Sequence, residues 1–174
     1  AKQKGHHVQL LEETINSNIL DVLEKVMVVQ AEVYGFSVHI WNKPFVMQLI
    51  GMLRKLRPEA VIVVGGPEVA FAAERIFTDQ PAIDYIVQGE GELCFSELLQ
   101  SLEKKEAIPE HIAYKVGDKV RLNGGTTVIE DLSILPFPYP DLEQVLAEHK
   151  IVYYEATRGC PFRCAYCLSG ISHN

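Results

Sequence analysis

Cys160-Pro161-Phe162-Arg163-Cys164-Ala165-Tyr166-Cys167 places three of the chain's four cysteines in a C-x3-C-x2-C spacing. Thiolates three and four residues apart converge when a loop curls around an inorganic core, and both zinc and iron–sulfur clusters take such ligands. Three sulfurs leave one coordination position open. His173, six residues past Cys167, could close a tetrahedral zinc site of three cysteines and one histidine. Free cysteines also behave as small hydrophobes, so burial without a metal is the plainest alternative. Arg158 and Arg163 bring positive charge that favours an anionic cluster. Reduced thiols at this spacing fit a reducing compartment, and the expected location is the cytoplasm.

The elements that position such groups follow from periodicity. From residue 6 to 105 strand-like and helix-like segments alternate, the pattern of an α/β fold with a parallel sheet covered by helices on both faces. Val8-Gln9-Leu10-Leu11 reads as a strand, followed by a helix from Asn18 with Ile19, Val22, Leu23, Val26 and Met27 on one face. A β-branched and aromatic strand over residues 33–41 hands over at Asn42, an N-cap, to a helix with Pro44 in its first turn and Phe45, Leu49, Leu53 and Leu56 buried. Ala60-Val61-Ile62-Val63-Val64 is continuously apolar, as a strand buried on both faces should be. A helix over residues 69–77, a strand over 83–87 and a helix with a stripe of Leu93, Leu98, Leu99 and Leu102 complete the series. Cys94 falls in that last helix and is expected to be buried, and the run Glu103-Lys104-Lys105-Glu106 to be its wet face.

In open sheets of this kind ligands bind in the crevice outside the carboxyl ends of the strands. Three loops lie there: Ser37 to Asn42, including His39 and Trp41; Gly65-Gly66-Pro67-Glu68; and Gly89-Glu90-Gly91-Glu92. Glycines allow close approach of a bulky ligand and leave backbone amides for its oxygens, and they also serve simply as turns. Trp41 reads equally as a core anchor or a pocket wall. His39, in a mostly apolar strand, is expected to be structural, and His6 and His7 to be solvated.

Two resemblances sharpen this. The segment from Tyr154 through Arg158 and Gly159 to Cys167 resembles the cluster-binding loop of the radical S-adenosylmethionine enzymes. The resemblance implies that Cys160, Cys164 and Cys167 hold a 4Fe-4S cluster, with the aromatic Tyr166 before the third cysteine and S-adenosylmethionine on the open iron. It also makes residues 151–154 the first strand of a catalytic barrel. The second lies upstream: Ser37-Val38-His39 followed by Gly65-Gly66 is similar to the Ser-x-Leu and Gly-Gly signatures of cobalamin-binding domains, with His39 in place of the usual leucine. That family packs the nucleotide tail of cobalamin against the strand ends of a flavodoxin-like, doubly wound sheet. Such a domain directly before a radical cluster loop is the arrangement of the cobalamin-binding radical enzymes, a group that includes the anaerobic magnesium-protoporphyrin cyclase.

By this resemblance Ser37, Trp41, Asn42, Gly65, Gly66, Pro67, Glu68, Gly89, Glu90, Gly91 and Tyr166 are cofactor-binding residues. The cluster would cleave S-adenosylmethionine to a 5'-deoxyadenosyl radical, and the cobalamin would carry a methyl group or assist electron flow. The lower axial histidine of some cobalamin domains sits in an Asp-x-His-x-x-Gly loop that this chain lacks. Methylthiotransferases of transfer RNA share the radical loop but need cysteine ligands in their first domain, which Cys94 alone cannot supply. A docking or substrate-presenting role for the α/β domain is the other function class compatible with the pattern.

The expected organisation is an α/β domain over residues 1–110, a hairpin and Pro-rich linker over 111–148, and the start of a barrel over 149–174. The hairpin turns at Gly117-Asp118, and Pro136, Pro138 and Pro140 stiffen the linker. Residues 1–5 read as the last turn of a helix capped by Gly5, with a helix and a strand expected before it; the unfilled sheet edge would then invite instability or association. With only the start of the barrel present, turnover is expected of a longer protein. The composition, 48% hydrophobic and 22% charged, is that of a globular protein. A formal charge of −7 argues against a nucleic-acid surface, and no apolar run is long enough to span a bilayer.

Overall fold

The computed structural model describes residues 5–117, 119–125, 127–137, 139, 143, 151–152, 154–162 and 164–167. The chain divides into two compact units, residues 1–127 and 128–174.

The first unit is an α/β sandwich. In chain order it holds α1 (Ile19–Val28), β1 (Val33–Ser37), α2 (Lys43–Leu56), β2 (Val61–Gly65), α3 (Pro67–Ala70), α4 (Ala73–Asp79), β3 (Tyr85–Val87), α5 (Gly91–Lys104), β4 (Ile112–Val116) and β5 (Lys119–Asn123). The five strands form one sheet in the order β1-β2-β3-β4-β5. β1, β2 and β3 are parallel, with Ser37 opposite Gly65; β4 and β5 extend the sheet as an antiparallel hairpin.

Alternation along the strands builds two cores. Tyr34, Ile62, Val64, Ile86 and Ala113 point to one face and pack with Val22, Leu23 and Val26 of α1, Leu49, Ile50 and Leu53 of α2, and Ile76 and Phe77 of α4. Val63, Val87 and Ile112 point to the other, where α5 brings Cys94 and Leu98. Helices therefore cover both faces, and a strand such as β2, buried on both, reads as an unbroken apolar run. Asn18 starts α1 as expected, its side chain accepting from the Leu20 amide at 2.9 Å.

Arg54 ties the amino-terminal ends of β2 and β3 to α2. Its guanidinium donates to the carbonyls of Pro58 and Ala60, both at 2.7 Å, to that of Ala82 at 2.8 Å, and to Asp84 Oδ2 at 2.5 Å. The same Asp84 oxygen accepts from the Ile62 amide at 2.7 Å. Five donors in a fixed fork suit such a cluster of carbonyl ends.

Several expectations are corrected. Residues 8–11 form no strand: no other described segment pairs with them, and Leu10 is exposed. β1 stops at Ser37, because the chain turns at His39 to start α2. Leu56 is exposed and Val46 and Ile50 are buried in its stead, a rotation of the α2 stripe toward the sheet. The helix expected over residues 69–77 is two, α3 and α4, broken at Phe71 and Ala72. In α5 the buried stripe runs through Cys94, Leu98 and Ser101, and Leu93 faces solvent. Cys94 is buried as expected, and the run from Glu103 to Glu106 is exposed.

In the second unit Leu132–Ile134 makes a single 3-10 turn, with Asp131 accepting from the Ser133 amide at 2.9 Å. Ile151, Val152 and Tyr154 are not in a strand, since no described segment offers them a ladder, and Ile151 and Tyr154 are exposed. Residues 1–4 of the expected helical turn, the turn residue Asp118, Pro138, Pro140, Arg163 and His173 lie outside the described residues. Among the described residues no helix is long and apolar enough to cross a membrane.

Candidate cofactor site at the strand ends

Parallel pairing of β1, β2 and β3 brings their three carboxyl ends side by side, and with them the loops singled out by sequence. After β1 the chain continues through Val38, whose amide donates to Gly65 O at 2.7 Å, so the β1 and β2 exits stay in contact. Asn42 then folds the loop back on itself: its Nδ2 donates to Ser37 O at 2.9 Å and its Oδ1 accepts from the His39 amide at 2.7 Å. Asn42 occupies the position before α2 but makes no side-chain cap there, because its amide is committed to this loop. Ser37 Oγ lies 3.1 Å from His39 Nε2. The His39 imidazole stacks on the Trp41 indole with ring centroids 4.6 Å apart and planes 8° from parallel. Trp41 is 64% exposed, which rules out the core-anchor reading.

Gly66 follows β2 with φ +104° and ψ 168°, a conformation open essentially to glycine alone. A Cβ there would meet Val38 O at 2.5 Å. This close crossing of two strand exits is the local reason for the second glycine. The amides that follow are already engaged, Glu68 N donating to Val38 O and Val69 N and Ala70 N to Gly66 O. Pro67 has no amide hydrogen to give. Within this loop the Glu68 amide is thus taken internally, and the second glycine serves the close approach of the strand exits. Glu68 pairs with Lys43 at 3.3 Å, linking the two loops by charge.

At β3 the exit is held by residue 127. Thr127 N donates to Gln88 O and Glu90 N to Thr127 O, each at 3.1 Å, and Gly89 takes φ +89°. Gly91 starts α5 packed against Val87. Cys94 Sγ donates to Glu90 O at 3.1 Å, and burial pushes its thiol pKa up. Sequence reasoning missed Gln88. It is buried at the end of an apolar strand; its Nε2 reaches Ala70 O at 3.5 Å and its Oε1 has no partner among the described residues. A polar residue closing an apolar run was the available signal. An orphaned acceptor at a strand end suits a ligand that brings an amide or hydroxyl donor.

The strand ends thus assemble Ser37, Trp41, Asn42, Gly65, Gly66, Pro67 and Glu68 at two adjoining exits, with Gly89, Glu90 and Gly91 at the third. Residues 1–99 match the model of the B12 binding domain. The chain belongs to the B12-binding-domain family. As a member of that family it is similar to an uncharacterized methyltransferase of Pyrococcus horikoshii, with 32% identity over 124 residues, covering 68% of this chain and 27% of the relative. It is 26% identical over 156 residues to the cobalamin-dependent radical SAM methyltransferase TokK of Streptomyces tokunonensis, 80% of this chain and 22% of that protein. It is 28% identical over 172 residues to the anaerobic magnesium-protoporphyrin IX monomethyl ester cyclase of a Synechocystis species, 94% of this chain and 34% of the relative. The B12-binding chain thus spans about a fifth to a third of the length of these relatives.

The second unit carries the thiol loop. Cys160, Cys164 and Cys167 are free thiols; Cys164 is exposed and the other two are half-buried. Cys167 N donates to Cys164 O at 3.1 Å, closing a turn between the second and third cysteines. Gly159 takes φ +81° just before the first, and Tyr166 is 92% exposed. Arg158 Nε pairs with Glu155 at 2.8 Å. Among the described residues no three His, Cys, Asp or Glu side chains converge as a metal site. The donor set itself, three free thiols within eight residues, has the chemistry of a soft metal or iron–sulfur site.

Proposed function

We propose that this chain is the cofactor-binding portion of a cobalamin-dependent radical S-adenosylmethionine enzyme of methyltransferase or cyclase type, acting in a reducing cytoplasm. The observation that carries the reading is the match of residues 1–99 to the B12 binding domain, with the glycine crossing and exposed indole at the strand ends where such a ligand would lie. Ser37, Trp41, Asn42 and the Gly65-Gly66-Pro67-Glu68 loop would hold the cobalamin tail, with Gly89-Glu90-Gly91 and Gln88 lining the third strand end. Their part is to bind and orient. The Asn42 bonds and the Gly66 crossing set the shape before the ligand arrives, which lowers the ordering cost of binding.

Cys160, Cys164 and Cys167 would ligate a 4Fe-4S cluster that, when bound, supplies the electron for reductive cleavage of S-adenosylmethionine. Tyr166, exposed beside the third cysteine, would contact that cofactor. The similarity to TokK, named as a cobalamin-dependent radical SAM methyltransferase, and to the cyclase supports this reading. Substrate recognition and turnover belong to the longer protein.

The test is cofactor loading. After anaerobic reconstitution with iron and sulfide, the chain should hold close to four irons, and Cys160→Ala, Cys164→Ala or Cys167→Ala should each lose them. Zinc retained with no iron would overturn the cluster assignment. Binding of hydroxocobalamin is the parallel test of the first unit, and its failure would favour a docking domain.

A further inference from the structure

Gln88 follows β3 directly and is only 9% exposed. Val64 pairs with Ile86, so two residues further along both strands Gly66 and Gln88 leave the sheet at the same level. The Gln88 backbone is fully engaged, its amide donating to His111 O at 2.8 Å and its carbonyl accepting from Thr127 N at 3.1 Å. The side chain is not. Its Nε2 reaches Ala70 O, at the end of α3, at 3.5 Å, the outer limit of a hydrogen bond, and its Oε1 is buried with no partner among the described residues. The amide thus bridges the exits of β2 and β3, weakly held at one end and unpaired at the other. A buried acceptor without a donor costs stability that an apolar side chain of the same shape would not. Such a cost is characteristic of binding sites, where a ligand supplies the missing donor.

We propose that Gln88 Oε1 accepts a hydrogen bond from an N–H or O–H group of the bound cobamide, so that this residue trades stability of the ligand-free chain for affinity. This rests on the cobalamin reading above and deepens it, by giving the third strand end a polar contact of its own. The long contact to Ala70 O does little to oppose a turn of the amide toward a ligand lying on the strand ends. Cobamides carry suitable donors in two places, the carboxamides around the macrocycle and the hydroxyls of the nucleotide. Both offer Oε1 the same chemistry.

The test is Gln88→Met in the full chain, a change that keeps the length and volume of the side chain and removes both polar ends. Without ligand the variant should melt at or above the temperature of the unaltered chain, because the orphaned acceptor is gone and only a 3.5 Å contact is lost. By calorimetry it should bind hydroxocobalamin about tenfold more weakly, the range of one hydrogen bond. A residue that merely props the fold would lower both. Dicyanocobinamide, which keeps the carboxamides and lacks the nucleotide, locates the donor: weakened in parallel, it places the donor on the macrocycle's rim, and unchanged, on the nucleotide. Unchanged binding of hydroxocobalamin by Gln88→Met would overturn the proposal, as would a variant that melts clearly lower or fails to fold. If the unaltered chain binds neither ligand, the cobalamin reading itself falls and this inference with it.

Discussion

At the residue scale the site depends on one crossing and one loop closure. Gly66 lets the exits of β1 and β2 meet, with Val38 O where a side chain would begin. Gly66→Ala forces either a shift of Val38 or a change of a φ that alanine rarely adopts, so it should cost about 1–3 kcal/mol in a urea melt. A loss below about half a kcal/mol would show that the crossing is soft. The glycine pair was legible in sequence as a place of close approach, although there the approach was that of a ligand and in the structure Val38 O also lies against Gly66. Asn42 was legible as a helix cap and is a loop clamp, because a short amide side chain can satisfy a strand-end carbonyl as readily as a helix amide. Gln88 was missed because its one signal, a polar residue closing an apolar strand, does not by itself separate a ligand contact from a strand end.

At the element scale the alternation of strands and helices was read correctly where an element has partners, and misread where it has none. β2 and α1 show their burial in their sequences, whereas residues 8–11 and 151–154 have strand-like composition and no described neighbour to pair with. Local preference does not make a strand; the ladder does. The α5 stripe was misplaced by one position because Cys94 and Ser101, small and weakly polar, carry the burial that leucines were expected to carry. Arg54 joins three elements through carbonyl ends that would otherwise go unpaired, so Arg54→Leu should destabilise by about 2–3 kcal/mol, read in the same melt. Cys94 gives a pH signature. Burial raises its folded pKa above the ordinary thiol value, so the stability held by its neutral form is complete below that ordinary value, about 8.5, and is lost as pH rises through the higher folded one. At pH 8 in the apo chain, iodoacetamide should label the three loop cysteines and reach Cys94 only after denaturation. Rapid labelling of Cys94 in the folded chain would contradict its burial.

At the scale of the whole molecule, a mixed sheet with helices on both faces presents its parallel strand ends as one platform, and a separate unit carries the thiols. Among the described residues β1 pairs only with β2, which leaves one side of its ladder unpaired. We expect association through that edge at high concentration, seen as a rise in mean mass by light scattering; a monomeric mass throughout would contradict it. The proposed cobalamin site at the strand ends carries its own reporter, since Trp41 is the single tryptophan of the chain. The most direct measurement is a titration with hydroxocobalamin followed in tryptophan emission. Saturable quenching at one cobalamin per chain is the predicted result; no binding, or binding seen by calorimetry with Trp41 emission unchanged, would contradict it.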